Sequence, residues 1–143
     1  MNHLAILNPK LHMLAKIEKG QKTIESRWYK RKFKPWGYIK CGESVYFKEA
    51  GKDVTLKATV IQVKQLKNLT PKIIKQMLKL YRKELGIDKS EVEIFYNIFK
   101  NKRYCILIYL NNPKTIKPFK INKAGKSFMS AWICFKSLKD IRL

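Results

Sequence analysis

The stretch Gly20-Gln21-Lys22-Thr23-Ile24-Glu25-Ser26-Arg27 decides how the rest of the chain is read. It has the form G-x-K-x-x-E-x-R, a glycine, two cations and one carboxylate at set spacing. Gly20 takes a left-handed backbone at a helix exit without steric cost. If the residues after it are extended, Glu25 and Arg27 share a face, and the carboxylate orients the guanidinium. Lys22 then faces the other way, unless the backbone turns or bulges near Thr23. The competing reading is a structural Glu25–Arg27 pair with Lys22 solvated, worth under about 1 kcal/mol if exposed.

Upstream, His3 to Leu7 reads as a short strand. Asn8-Pro9 opens a helix, with Asn as cap and Pro in the first turn. Leu11, Leu14, Ala15 and Ile17 form its apolar side, and Gly20 ends it. Downstream, Thr23 to Arg27 is extended and Lys32 to Cys41 is a loop holding Pro35 and Gly37. Val45 to Lys48 and Val54 to Val63 read as strands around a turn at Gly51-Lys52-Asp53. Thr70-Pro71 starts a second helix, in which Ile74, Met77, Leu78, Tyr81 and Leu85 recur at helical spacing up to Gly86. Ser90-Glu91-Val92-Glu93 matches a capping box for a third helix to Phe99. Arg103 to Leu110 has the continuous apolar run of a strand buried on both faces. Ile116 to Ile121 and Ala131 to Phe135 read as two further strands. Residues 1–143 show no repeat or linker, so one α+β domain is expected. It is a small, mostly antiparallel β-barrel with an N-terminal helix and a helical insertion.

The chain has 143 residues, 45% of them hydrophobic, enough for one core. No apolar run is long enough to cross a bilayer as a helix. The first residues lack a charged start followed by an apolar stretch, so no membrane role and a cytoplasmic location are expected. Cys41, Cys105 and Cys134 form no Cys-x-x-Cys and, with two histidines, make a poor zinc set. No metal or other cofactor is expected.

The formal net charge is +22, from 32 Lys and Arg against 10 Asp and Glu. A polyanion that displaces the counterions of such a chain gains affinity at modest salt, so nucleic acid is the leading partner. A plain compositional bias toward lysine competes with that reading. The charge is not evenly spread. Arg27, Lys30, Arg31, Lys32, Lys34 and Lys40 alternate with Trp28, Tyr29, Phe33, Trp36 and Tyr38 and with no acid. Cations track phosphates while aromatic faces stack on unpaired bases, about 1–3 kcal/mol per base. A second stretch, from Glu93 to Asp140, has no acid between its ends and carries Lys114, Lys117, Lys120, Lys123 and Lys126 at every third position.

With these flanks in this order, the chain resembles the ASCH domain family, whose fold is one of the PUA-like β-barrels. The resemblance rests on Gly20, Lys22, Glu25 and Arg27. It extends to the GYIKCGESVYFKEAG stretch, to Pro118-Phe119-Lys120-Ile121-Asn122-Lys123 and to Ser130-Ala131-Trp132-Ile133. It implies that Lys22, Glu25 and Arg27 converge on one cleft and that the partner is RNA. Arg27 and Lys22 would contact phosphate or a base edge. Trp28, Tyr29 or Trp36 would stack, and Lys30, Arg31, Lys32, Lys120 and Lys123 would extend the basic track. Single-stranded or looped RNA suits such stacking better than duplex, while single-stranded DNA stays open.

An enzyme is the alternative. Some ASCH-like proteins hydrolyse N(4)-acetylcytidine with a Lys, a Thr and a Glu. Lys22 matches the Lys, Glu25 stands where the Thr would be, and Glu91 would match the Glu. Ribonuclease activity is also associated with the family. Glu25 or Glu91 would be the general base of a metal-independent hydrolase and Lys22 its oxyanion partner. An adaptor role is a third reading and has no specific sequence mark. Lys-Ala-Gly-Lys-Ser fails as a phosphate loop, because position 120 is Lys120 rather than glycine.

Overall fold

The computed structural model describes residues 1–122 and 131–143. Six strands form one sheet: β1 (Asn2–Leu7), β2 (Ile24–Tyr29), β3 (Ser44–Glu49), β4 (Val54–Leu66), β5 (Tyr104–Phe119) and β6 (Trp132–Phe135). Their order is β2-β5-β4-β3-β1-β6. β1 and β3 run parallel, and every other neighbouring pair is antiparallel. Twist and register shifts along β4 and β5 curl this mixed sheet into a half-barrel.

The expected strands at Arg103–Leu110 and Ile116–Ile121 are one strand, β5. Pro113 stays inside it because β2 pairs β5 only as far as Tyr109. Beyond that point one edge of β5 needs no N–H, which is where a strand tolerates proline. Asn112, at φ 50, takes up the local irregularity. Cys105, Ile106, Leu107 and Ile108 have no exposed surface, as a strand covered on both faces requires.

Asn8 caps as expected, its side chain accepting from the Lys10 N–H. The helix it opens, however, is a 3-10 turn, Pro9–Leu11, that ends at His12 with φ 57. Helix α1 (Met13–Glu18) restarts there in a new phase and buries Met13 and Ile17, so Leu11 is left exposed. α2 (Pro71–Leu80) starts on Thr70, whose side chain accepts from the Ile73 N–H. Tyr81 leaves helical geometry, and a short α3 (Arg82–Leu85) ends on Gly86. Ser90 is not the cap of the last helix. Asp88 and Glu91 form the capping box around a 3-10 turn, and α4 (Val92–Phe99) follows. No helix among the described residues is long and apolar enough to cross a membrane.

The main core lies between the sheet and the insertion, where Ile74, Leu78, Leu85 and Phe95 meet Ile106 and Ile108. A smaller cluster around Leu4, Tyr46, Phe119 and Phe135 fills the other side. The curl brings β2 back toward β1 and the start of β6, and the motif residues lie at that closure.

Candidate functional site

Gly20 leaves α1 with φ 75. The Gln21 and Lys22 N–H groups both donate to the Lys16 carbonyl, at 2.9 and 3.0 Å. The chain therefore turns back before the strand begins, and Lys22 swings inward. Only 4% of it is exposed. Its Nζ donates to the carbonyls of Ile24 (2.7 Å) and Leu85 (2.9 Å) and lies 3.4 Å from Glu25 Oε1. Burial pushes its pKa down, and the Glu25 charge only partly restores it.

Glu25 is buried too. Oε2 accepts from Arg27 Nη2 at 2.8 Å, and Oε1 accepts from the Ser26 N–H at 3.2 Å. Burial alone would raise its pKa. The Arg27 and Lys22 charges, with those hydrogen bonds, outweigh it and hold the carboxyl below its ordinary value. Arg27 spans the closure of the sheet, donating to the carbonyls of Ile6 (3.4 Å) and Ala131 (3.3 Å). Its guanidinium lies 5.0 Å from the centre of the Trp132 ring. Arg27 Nε is the one buried side-chain nitrogen or oxygen among the described residues without a hydrogen-bond partner.

Trp132 is in turn fixed by His3. The indole N–H donates to His3 Nδ1 at 3.1 Å, and His3 Nε2 lies 2.9 Å from Glu43 Oε1. Nδ1 must therefore be the bare nitrogen, and Nε2 carries the proton to Glu43. Burial lowers the His3 pKa, against the pull of Glu43.

Lys22, Glu25 and Arg27 meet at one cavity of about 420 Å³. Leu85, Ile87, Phe95 and Phe99 of the insertion wall it on one side, and Phe33 stands at its edge. Trp28 also lines it, but its ring is stacked on Phe99 at 4.7 Å and only 6% of it is exposed. Tyr29 donates its hydroxyl to the Lys34 carbonyl. Trp36 packs edge-on against Tyr104 and is not part of the lining. Phe33 is 52% exposed, so it is the lining aromatic with an open face. In the sequence Phe33 stands out only as one aromatic of the basic loop, with nothing that ties it to Lys22 or Glu25. Phe95 is marked only as part of a helix, although its i, i+4 spacing to Phe99 puts both on one wall.

Lys30, Arg31 and Lys32 are exposed next to Phe33. Glu91 lies outside the lining, its carboxylate accepting from the Asp88 N–H. Lys120 lies at a separate concavity with Lys48, Lys52 and Asp53. Lys123, Lys126 and Ser130 fall outside the described residues. Among those described, no three His, Cys, Asp or Glu side chains gather to hold a metal ion.

No family model and no curated protein matches this sequence. Solved structures do match. The crystal structure of ASCH from Zymomonas mobilis aligns with a TM-score of 0.60 at 16% identity, over 82% of this chain and 71% of that one. The fold is ASCH-like. A mutant of the same protein aligns at 0.59 and 15% identity, over 82% of this chain and 73% of that one. A hypothetical protein of known structure aligns at 0.52 and 21% identity, over 79% of this chain and 97% of that one. The ASCH-like sheet holds Lys22, Glu25 and Arg27 where its edges approach, with the helical insertion as the facing wall.

Proposed function

We propose that this chain binds nucleic acid, RNA before DNA, through the cavity floored by Lys22, Glu25 and Arg27. The observation that carries the reading is the meeting of those three side chains in one apolar-walled cavity that adjoins an acid-free basic loop. A net charge of +22 supplies the long-range attraction. The exposed Lys30, Arg31 and Lys32 beside the cavity supply local phosphate contacts. The PUA-like character of the fold agrees with an RNA partner.

The test is fluorescence anisotropy of labelled single-stranded RNA, single-stranded DNA and duplex, over a range of salt. Single-stranded RNA binds best, and log K falls linearly with log salt by about 0.7 per phosphate contacted. An affinity that hardly moves with salt overturns the reading.

A hydrolase acting on RNA or a modified nucleoside is the second reading. One observation favours it: a carboxylate, Glu25, and an amine, Lys22, line the same cavity, the pairing a general base and an oxyanion partner need. Glu91 lies outside the cavity lining and accepts from the Asp88 N–H, so Glu25 is the carboxylate this reading uses. Release of acetate from N(4)-acetylcytidine, or cleavage of RNA, by the wild type and not by Glu25→Gln would support it. No turnover on either leaves binding alone.

A further inference from the structure

We propose that Cys134 is a base-assisted thiol that exchanges with small anionic disulfides. It belongs to a side-chain cluster outside the cavity lining, and the proposal is independent of the nucleic-acid reading. A nucleophile, a base and a carboxylate that orients the base lie in one row there.

His3 and Cys134 are direct partners in the antiparallel pairing of β1 and β6, so their side chains leave the same face side by side. Cys134 Sγ lies 3.5 Å from His3 Nδ1, and His3 Nε2 lies 2.9 Å from Glu43 Oε1. Nε2 carries its proton toward Glu43, which leaves the Nδ1 lone pair facing the thiol. The Trp132 N–H donates to the same nitrogen and holds the ring in that tautomer. His3 has no exposed surface, whereas Cys134 is only partly buried and stands on the edge strand of the sheet. The sulfur is therefore the end of the row that a reagent meets.

The three thiols differ in their surroundings. Cys41 is exposed, but its thiol donates to the Ile61 carbonyl rather than to a base. Cys105 has no exposed surface. Burial pushes the Cys134 thiol up; Lys34 and the Trp132 side chain act against that, and Glu43 adds to it. At neutral pH the sulfur keeps its proton, so attack needs a base beside it. Burial keeps His3 in the neutral form that accepts a proton. In the exchange, the S–H proton passes to His3 Nδ1 as Cys134 Sγ attacks one sulfur of the disulfide. A new S–S bond joins the protein to half of the reagent, the old S–S bond breaks, and the departing sulfur takes the proton from Nδ1. The reagent is itself the oxidant and leaves as one thiol. While Nδ1 holds the proton, Glu43 offsets the charge and the Trp132 N–H gives up its acceptor. The Lys34 charge that acts on Cys134 selects an anionic reagent, and the net charge of +22 draws one in.

The test incubates the whole chain at neutral pH with glutathione disulfide, which is anionic, or with cystamine, a cationic disulfide. Peptide mass spectrometry follows the adduct at each cysteine. Glutathione disulfide reacts faster at Cys134 than at Cys41, although Cys41 is the more exposed, and faster at Cys134 than cystamine does. His3→Gln lowers the rate at Cys134 by about a hundredfold, the low end of what a positioned base contributes, and leaves Cys41 unchanged. Cys105 is buried in the sheet and reacts only in an unfolded chain, so its silence in the same spectra shows that the variant is folded. If Cys105 reacts in His3→Gln, Glu43→Gln takes its place and must itself slow Cys134 and not Cys41. Reaction at Cys41 as fast as at Cys134 overturns the proposal. So does an unchanged Cys134 rate in the folded variant. Equal rates with cystamine overturn the choice of an anionic reagent.

Discussion

Glu25 sits between buried Lys22 and half-buried Arg27, which would otherwise lack a counter-charge. Breaking one partner of such a buried set costs about 3–5 kcal/mol, because the remaining charges stay desolvated. Glu25→Gln is therefore expected to lose stability on that scale, read as a lower urea midpoint. The pH dependence on acidification follows from three lowered pKa values, those of His3, Glu25 and Glu43. A lowered pKa adds stability above the unfolded value, and that stability is lost as pH falls through the folded value. For His3 the loss begins below the ordinary 6.5. For Glu25 it begins below 4.5, and Glu43, also lowered, adds to that second stage. Urea midpoints should fall in two stages on acidification. His3→Gln keeps an acceptor for Trp132 and a donor for Glu43 but does not titrate, so it should remove the first stage. Persistence of that stage in His3→Gln would place its origin elsewhere. The Glu25–Arg27 pair was legible from a two-residue spacing. The His3–Trp132 contact was not, since those residues are 129 apart in sequence.

The elements meet through two glycines. Gly20 and Gly86 both have φ 75, and each follows a helix. An alanine at Gly20 would meet nothing within 4 Å, so only the left-handed backbone opposes it. Gly20→Ala is expected to cost about 1–2 kcal/mol. At Gly86 an added Cβ would lie 3.1 Å from Lys22 Cβ and 3.3 Å from Lys16 Cδ. Gly86→Ala therefore carries a crowding cost as well, about 1–3 kcal/mol more, and presses on the site lysine. Equal urea midpoints for the two variants would refute that difference. Phe95 in α4 is buried against the same wall, and Phe95→Ala should cost about 3–5 kcal/mol by the same measurement. Both glycines stood out as helix ends from their position after apolar periodicity. Their contact with the site did not, because it depends on how the insertion packs onto α1.

Across the whole molecule, position rather than total charge separates the basic residues. Lys120 shares a concavity with Lys48 and Lys52, apart from the cavity lined by Tyr29 and Phe33, between which Arg31 lies in sequence. Arg31→Ala should lower the salt slope of RNA binding by about 0.7, the contribution of one phosphate. Lys120→Ala should leave the slope of cavity-directed binding in place. A reversed ranking in the anisotropy titration would shift the RNA path to the other concavity. Local pattern determined much of this architecture: Asn8-Pro9 and Thr70-Pro71 as helix starts, Gly86 as a stop, and the buried run from Cys105 to Ile108. Each follows from a cap, a fixed φ or an apolar period that acts within a few residues. The sequence also determined that Glu25 and Arg27 lie on one face. Only the tertiary structure decided that Lys22 joins them. Alternation along an extended chain turns it away, and it is the Lys16 carbonyl that reverses the backbone and the Leu85 carbonyl, 63 residues distant, that receives its amine. The same holds for Arg27, whose role in bridging the curled edges exists only once β2 approaches Ile6 and Ala131.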